Sequence, residues 1–233
     1  MNLVLFDIDG TLIYSGGAGA RALNLAFKEK YSIDEAMSVV NPHGQTDIAI
    51  VEEIFQKKLG RTPTFDEVKE ILEFYLLYLR EEVWKAEKYK VLDGVVETLE
   101  ALASSKDFFL GLATGNIEEG ARIKLERGDL NKYFKCGGFG SDHRERWQIV
   151  RKAWERCLEY TGEVFSNVYV VGDTPLDIEA GKKAGFKTIG VATSIYTFED
   201  LVKSGADFVI NRMDELLMVL EGDAKVSFKN ESF

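Results

Sequence analysis

The stretch LVLFDIDGTLIYSGG, residues 3–17, decides the fold of this chain. It opens with a short apolar run, and such a run before a turn is typical of a buried strand. The run ends in Asp7 and Asp9, two carboxylates one residue apart, followed by Gly10 and Thr11. Two such charges at the end of a buried strand repel each other and lose hydration. We therefore expect a cation or a catalytic role to accompany them.

After about residue 90 the chain alternates short apolar runs with amphipathic helical patterns. The predicted strands are 3–6, 108–113, 168–172, 188–192 and 207–210. The predicted helices between and after them are 95–104, 117–127, 145–160, 175–184, 197–204 and 213–220. Continuous apolar strands separated by helices are typical of a parallel sheet covered on both faces. The sequence therefore predicts an α/β fold with a doubly wound parallel sheet.

Residues 16–88 interrupt this alternation, because they have the pattern of consecutive helices without a convincing strand. One of these helices opens with Thr64 and Glu67, which have the spacing of a capping box. We therefore predict an α/β core of residues 1–15 and 89–233, with residues 16–88 inserted as an all-helical cap domain.

The composition excludes several classes of protein. The chain has 233 residues, 45% of them hydrophobic, and a formal net charge of -10. This charge argues against binding to nucleic acid or to an anionic membrane surface. The longest apolar run is too short to span a bilayer, and the start of the chain does not resemble a signal peptide. Cys136 and Cys157 have neither metal-site nor redox spacing, so we predict two free thiols in a reduced, cytoplasmic protein, either a monomer or a homodimer.

Candidate site residues follow the strands of the predicted sheet, because ligands of doubly wound sheets bind beyond the carboxyl ends of the strands. The strand that ends at residue 113 is followed by Thr114, Gly115 and Asn116. The strand that ends at residue 172 is followed by Asp173 and, four residues later, by Asp177. With the two aspartates after the first strand, these form a set of oxygen ligands that suits Mg²⁺. The predicted metal ligands are Asp7, Asp9, Asp173 and Asp177.

These motifs resemble those of the haloacid dehalogenase superfamily, specifically its phosphatases with a helical cap inserted after the first strand. DIDGT resembles the first signature of that family, LATGN the second and VGDTPLDI the fourth. The resemblance covers nearly the whole chain. It implies a Rossmann-like core and a Mg²⁺-dependent phosphoric monoester hydrolase that is similar to phosphoglycolate phosphatase and acts on a small phosphorylated metabolite.

The resemblance also implies roles for individual residues. Asp7 would attack phosphorus and form an aspartyl-phosphate, and Asp9 would act first as general acid and then as general base. Thr114 would hold a phosphate oxygen, helped by the neighbouring backbone N–H groups of Gly115 and Asn116. Asp7, the backbone carbonyl of Asp9, and Asp173 would hold Mg²⁺, with Asp177 as a direct or indirect acidic partner.

The third signature of the family, a basic residue near the start of a helix, is less clear in this chain. The matching stretch is GSDHRERWQIVRKAW. Arg146 lies best at the helix start, and Arg144 is the alternative. A fixed cation beside the nucleophile would neutralise the phosphoryl group and keep the nucleophile ionised.

The cap is the part in which this family varies its specificity. The loop NPHGQTD, residues 41–47, and Arg21 on the first cap helix are the best candidates for contact with the leaving group. Within that loop, Gln45 is the residue we single out.

Three other functions remain in competition with a phosphatase. A sugar phosphomutase would use the same residues but keep the phosphoryl group. A haloalkanoate dehalogenase is disfavoured, because such enzymes lack the second aspartate and Asp9 is present. A phospho-receiver or other metal-binding regulator without turnover also combines acidic residues with a threonine on a doubly wound sheet, but it lacks an inserted helical cap.

Overall fold

The computed structural model describes residues 1–230, with side chains described through residue 223. The strands are β1 (Asn2–Phe6), β2 (Ile13–Tyr14), β3 (Lys90–Val91), β4 (Phe108–Ala113), β5 (Gly137–Gly138), β6 (Val168–Gly172), β7 (Lys187–Val191) and β8 (Phe208–Ile210). Six of them form one sheet in the order β5-β4-β1-β6-β7-β8, and every neighbouring pair is parallel. From the central strand β1 the chain adds β4 and β5 on one side, and it then adds β6, β7 and β8 on the other side. This confirms the predicted doubly wound parallel sheet.

The apolar run that opens the sequence accounts for the central strand. All five residues of β1 are buried. Val4 and Phe6 belong to one hydrophobic cluster, and Leu3 and Leu5 belong to another. Because successive side chains of a strand point to opposite faces, the clusters lie on the two faces of the sheet. Both faces are covered, which is why the run is continuously apolar rather than alternating.

Helices cover the sheet and form the insertion after its first strand. The α-helices are α1 (Ala18–Tyr31), α2 (Asp47–Ile54), α3 (Phe65–Lys85), α4 (Val95–Ser104), α5 (Glu118–Glu126), α6 (Arg146–Thr161), α7 (Pro175–Ala184), α8 (Phe198–Lys203) and α9 (Leu216–Asn230). Short 3-10 helices cover Ala36–Val39, Asn131–Tyr133 and Met213–Glu215, and α2 continues into a π-helical turn, Phe55–Leu59.

Helices α1 to α3 pack around a hydrophobic cluster largely of their own. Its members include Phe27, Phe55 and Ile71, all fully buried. Helix α3 begins with the predicted capping box, in which Thr64 and Glu67 each bond to the other's backbone N–H. We call residues 16–88 the cap and the remaining residues the core; the division at these residues stays a prediction.

Two short pairings were not visible in the sequence. Strands β2 and β3 form an antiparallel ribbon in which Ile13 pairs with Val91 and Tyr14 with Lys90. The ribbon lies where the chain leaves the core for the cap and where it returns. Strand β5 adds a sixth strand at the edge of the sheet. Strands of two residues are too short to show a periodic pattern.

The prediction of two free thiols is wrong, because Cys136 and Cys157 form a disulfide with a Cα–Cα distance of 5.5 Å. Cys136 directly precedes β5, and Cys157 lies on the face of α6 that packs against that strand. The tertiary packing brings together two buried side chains that are 21 residues apart in sequence. The cytoplasmic location loses the argument from free thiols and stays a prediction.

None of the helices in the described part of the chain combines the length and the apolar character that a membrane span requires.

Candidate active site

A cavity of about 480 Å³ lies between the carboxyl edge of the sheet and the cap. The core contributes the ends of β1, β4 and β6 to its wall, and the cap contributes α1, the loop before α2, and parts of α2 and α3. The predicted site residues that line it are Asp7, Asp9, Gln45, Thr114, Gly115, Asn116, Arg146 and Asp173. The fold therefore brings most of the candidate residues to one place.

Asp7 and Arg146 form the centre of the core wall. Asp7 directly follows β1, and its side chain is only 8% exposed. The Arg146 guanidinium lies with Nη2 3.0 Å from Asp7 Oδ1. Burial raises the pKa of Asp7, whereas the charge of Arg146 opposes that rise. The arginine thus stabilises an ionised carboxylate that would otherwise favour its neutral form.

Arg146 is placed at this point because it is the first residue of α6. Its Nη2 also bonds to Asp177, and its Nη1 donates to the backbone carbonyl of Gly44 in the cap at 3.0 Å. Arg144, the alternative, instead forms an exposed ion pair with Glu52. Of the two arginines, the structure brings Arg146 to Asp7.

The carboxylate of Asp9 is paired with a cation that the sequence did not suggest. Lys124 Nζ lies 2.8 Å from Asp9 Oδ2, and Asn116 Nδ2 donates to the same oxygen at 2.8 Å. Lys124 also donates to Asn116 Oδ1 at 2.6 Å, which closes a triangle. Burial acts to raise the pKa of Asp9, but the ammonium of Lys124 and the hydrogen bonds outweigh it, so the pKa is lowered.

The position of Lys124 in the sequence indicates that its charge is buried and paired. On α5 it lies three residues after Ala121 and next to Leu125, on the side of the helix that is buried. A lysine on the apolar face of an amphipathic helix is rarely buried without a partner. Lys124 is only 5% exposed, and its partners Asp9 and Asn116 follow strands β1 and β4.

The loop after β4 is shaped by close contact with the cap. The Thr114 hydroxyl accepts a hydrogen bond from Asn116 Nδ2 at 2.8 Å and is fully buried. A Cβ at Gly115 would collide with the backbone carbonyl of Gln45, so only glycine allows the cap loop to approach this closely. Thr114 and Asn116 are thereby held at the edge of the cavity.

Three acidic side chains, that of Asp7 among them, converge in a manner that fits a metal ion. One carboxylate oxygen from each of Asp7, Asp173 and Asp177 lies within 4.8 Å of the others. Burial and the neighbouring carboxylates raise the pKa of Asp173, while the Thr11 hydroxyl donates to its Oδ1 at 2.9 Å. A set of hard oxygen donors with excess negative charge suits a divalent cation such as Mg²⁺. Asp9 directs its side chain to Lys124 instead.

Asp177 has a second function in the local structure. It is the third residue of α7, and its Oδ2 accepts hydrogen bonds from the backbone N–H and the hydroxyl of Thr174, at 3.0 and 2.7 Å. This capping box, with Pro175 as the first helical residue, fixes the start of α7. The other oxygen of Asp177 pairs with Arg146. Asp177 thus holds the arginine in place as well as adding charge to the acidic cluster.

The two candidate cap residues occupy different places. Gln45 lines the cavity, and its Nε2 donates to the carbonyl of Asn41 at 2.7 Å and to Glu53 at 3.0 Å. Arg21 is absent from the described lining; it pairs with Glu82 at 2.6 Å and donates to the carbonyl of Gly16.

Asp47 ends the loop of residues 41–47 that the sequence offered for contact with the leaving group, but its contact with the core was not predicted. Its backbone N–H donates to the carbonyl of Gly115 at 2.9 Å, and its Oδ2 accepts from the N–H of Ile117 at 2.9 Å. Burial raises the pKa of Asp47 to about 6, while Lys124 and the hydrogen bond from Ile117 oppose the rise. Asp47 therefore docks the cap onto the loop after β4.

Comparisons with known proteins identify the family of this chain. A family model described as Haloacid dehalogenase-like hydrolase matches residues 4–191. The chain is 31% identical over 229 residues to the phosphoglycolate phosphatase of Aquifex aeolicus, covering 95% of this chain and 97% of the relative. It is 27% identical over 225 residues to the pyrophosphatase PpaX of Anoxybacillus flavithermus, covering 94% and 97%.

Solved structures show the same fold. A hydrolase from Pseudomonas syringae superposes with a TM-score of 0.70 at 20% identity, covering 95% of this chain and 99% of that one. A protein from Thermotoga maritima, provisionally named β-phosphoglucomutase, gives a TM-score of 0.60 at 26% identity, covering 95% and 99%. The chain belongs to the haloacid dehalogenase-like hydrolases, and within that family it is a phosphatase.

Proposed function

We propose that this phosphatase hydrolyses the phosphate monoester of a small metabolite, depends on Mg²⁺ and forms an aspartyl-phosphate on Asp7. The observation that carries the proposal is the convergence of Asp7, Arg146 and Asp173 at one wall of the cavity, with Asp9 beside them. An ionised carboxylate beside a buried arginine, whose charge favours the ionised form, is suited to attack an electrophilic phosphorus atom.

In the first half of the reaction, a carboxylate oxygen of Asp7 bonds to phosphorus while the bond from phosphorus to the leaving oxygen breaks. Asp9 gives a proton to that leaving oxygen, which departs as an alcohol. The phosphate group of the substrate adds negative charge near Asp9 and favours its protonated form, against the effect of Lys124. Arg146 neutralises charge on the transferred group.

In the second half, Asp9 accepts a proton from a water molecule whose oxygen bonds to phosphorus. The bond between phosphorus and Asp7 breaks, which releases inorganic phosphate and restores the carboxylate. Thr114 and the N–H groups of Gly115 and Asn116 would bind phosphate oxygens. The cap over the cavity limits access to small substrates and excludes bulk water.

Asp7, Asp173 and the backbone carbonyl of Asp9 would hold Mg²⁺, with Asp177 as a further acidic partner. The ion would neutralise charge on the phosphoryl oxygens and relieve the repulsion between the carboxylates.

A sugar phosphomutase is the alternative, and the likeness to the Thermotoga maritima protein provisionally named β-phosphoglucomutase favours considering it. Such an enzyme would return the phosphoryl group to a sugar instead of to water. Release of free phosphate in the absence of a sugar bisphosphate would contradict this alternative.

The test is an assay of free phosphate with purified protein, Mg²⁺ and a panel of phosphorylated metabolites. The panel includes 2-phosphoglycolate, pyrophosphate and sugar phosphates, as the relatives suggest. We expect turnover that stops with EDTA and returns with added Mg²⁺. Absence of phosphate release from every compound, or full activity in EDTA, would overturn the proposal.

A further inference from the structure

The wall that the cap contributes to the cavity differs in charge from the wall that the core contributes. Among the described residues that line the cavity, the cap supplies no lysine and no arginine. Its larger side chains are mostly apolar: Leu23, Met37, Ile50 and the ring of Tyr75. We call this the cap wall. Because the core wall binds the phosphate, the cap wall faces the leaving group.

The polar groups of the cap wall are mostly occupied. The Gln45 amide nitrogen donates both to the carbonyl of Asn41 and to Glu53. The carboxylate of Asp47 accepts from the backbone of the core and would repel an anion. The imidazole of His43 is exposed. The cap wall therefore offers little that could partner a second negative charge on a substrate.

Two lysines of the core line the cavity. Lys90 of β3 is exposed, so water screens its charge. Lys124 is buried and lies beside the cap wall. Its Nζ lies 3.5 Å from the position that a Cβ would take on Gly19 of α1. Its charge is already balanced by Asp9 at 2.8 Å, and Asp47 adds another carboxylate nearby. An anion placed here would thus meet two carboxylates and one ammonium. Removing a charge from water without a net partner is strongly unfavourable.

We propose that this phosphatase prefers phosphate esters whose leaving group is uncharged and partly apolar over those whose leaving group carries a carboxylate or a second phosphate. The inference rests on the proposed hydrolysis of monoesters at Asp7. Leu23, Met37 and Ile50 provide apolar contact area for such a group. Tyr75 also lines the cavity, and its hydroxyl can form a hydrogen bond with a single hydroxyl of the leaving group.

Matched pairs of substrates test this preference in the wild-type enzyme. One pair is 2-hydroxyethyl phosphate, which ends in a neutral hydroxyl, and 2-phosphoglycolate, which ends in a carboxylate. The other is 4-carbamoylphenyl and 4-carboxyphenyl phosphate. We expect kcat/KM with Mg²⁺ to be at least about tenfold higher for the neutral member of each pair.

If kcat/KM for the charged members, or for pyrophosphate, equals or exceeds kcat/KM for the neutral members, the inference is overturned. The proposed hydrolysis would then stay intact. If the enzyme hydrolyses none of these four esters and no ester of the metabolite panel, both the proposed function and the inference are overturned. The two failures are therefore distinguishable.

A gain of function provides a second test. Met37→Lys places an ammonium group on the cap wall, and Met37→Gln is a neutral control of similar length. We expect Met37→Lys to raise kcat/KM for the charged member relative to the neutral member by about fivefold or more, and Met37→Gln to leave the ratio near that of the wild type. Equal ratios in the two folded variants, checked by thermal unfolding, would contradict a charge-based preference.

Tyr75→Phe tests the polar part of the inference. We expect this variant to lose kcat/KM for 2-hydroxyethyl phosphate by at least about threefold more than it loses kcat/KM for ethyl phosphate, which lacks the terminal hydroxyl. Equal losses on both esters would remove Tyr75 as a contact of the leaving group.

Discussion

The two walls of the cavity are built by different means. On the core wall, Asp7 and Asp9 follow the central strand β1, and the carboxylate of each pairs with a cation from a helix. Asp7 faces Arg146, and Asp9 faces Lys124. On the cap wall, apolar side chains from helices dominate. The comparison suggests that the core performs one reaction on the phosphate, while the cap selects the group that leaves.

The first prediction removes the nucleophile from the core wall. Asp7→Asn keeps the shape and the hydrogen-bonding capacity of the side chain, so we expect the protein to fold with a similar melting temperature. We expect kcat to fall by at least about a thousandfold, which corresponds to about 4 kcal/mol of activation free energy. Steady-state phosphate release measures the loss. Retention of most of the activity would refute an aspartyl-phosphate on Asp7.

The second prediction concerns the cation beside the nucleophile. Arg146→Ala should lower kcat about a hundredfold, and by a similar factor for every ester, because all substrates share the transferred group. Arg144→Ala is the matched control, since Arg144 forms only an exposed pair with Glu52, and it should stay within about twofold of the wild type. A large uniform loss in Arg144→Ala with a nearly unchanged Arg146→Ala would reverse this assignment.

The difference between the walls also explains how much the sequence could reveal. The DIDGT, LATGN and VGDTPLDI motifs are local, and a parallel sheet brings the carboxyl ends of its strands to one edge whatever the remaining details. The sheet and its helices could therefore be predicted from short segments. The convergence of Asp7, Asp9, Thr114 and Asp173 followed from the same rule.

Contacts between distant segments could not be predicted in this way. Lys124 lies on a helix whose pattern gives no partner for it, and Asp47 has the sequence pattern of an ordinary first residue of a helix. Cys136 and Cys157 meet only because an edge strand packs against α6. Arg21 was a candidate for the cavity, but its guanidinium turns to Glu82 on another cap helix. Each of these outcomes depends on the packing of one element against another.

The third prediction tests the ion pair between Asp9 and Lys124. Lys124→Met removes the cation from Asp9 and should lower kcat about tenfold for an alkyl phosphate, because a displaced Asp9 protonates the leaving oxygen less well. The loss should be smaller, about threefold, for p-nitrophenyl phosphate, whose leaving group hardly needs a proton. A comparison of the two substrates under saturation measures the difference. Equal losses would argue that Lys124 supports only the local structure.

The fourth prediction concerns the contact between the two walls at Asp47. Its pKa of about 6 in the folded protein lies above the ordinary value of 3.8. The folded state therefore holds the proton more tightly, and stability falls as the pH rises from about 4 to above 6. Asp47→Asn keeps an oxygen that can accept from Ile117 and should remove this loss, on the order of 1 kcal/mol.

Thermal unfolding of the wild type and of Asp47→Asn at pH 4.5 and 7.5 measures this effect. We expect the variant to gain stability relative to the wild type at the higher pH. The same difference between the two proteins at both pH values would show that the carboxyl group of Asp47 does not titrate with a raised pKa.

The smallest expected effect distinguishes the two cap residues that the sequence proposed for specificity. Gln45 lines the cavity, so Gln45→Ala should change the ratio of kcat/KM between two metabolite esters by about three- to fivefold. Its effect on p-nitrophenyl phosphate should be smaller. Arg21 is tied to Glu82 and to the carbonyl of Gly16, away from the described lining, so Arg21→Ala should leave the ratio unchanged.

The two variants form a matched pair on the cap, because both remove a polar side chain and only one of these side chains lines the cavity. A changed ratio in Arg21→Ala would mean that this side chain leaves Glu82 and enters the cavity when substrate binds. A uniform loss in Gln45→Ala would mean that the loop of residues 41–47 acts on closure of the cap, since Gly44 of that loop accepts a hydrogen bond from Arg146. Selection by the cap wall requires that Gln45→Ala changes the ratio of kcat/KM between the two metabolite esters. It also requires that the turnover of p-nitrophenyl phosphate changes less than this ratio.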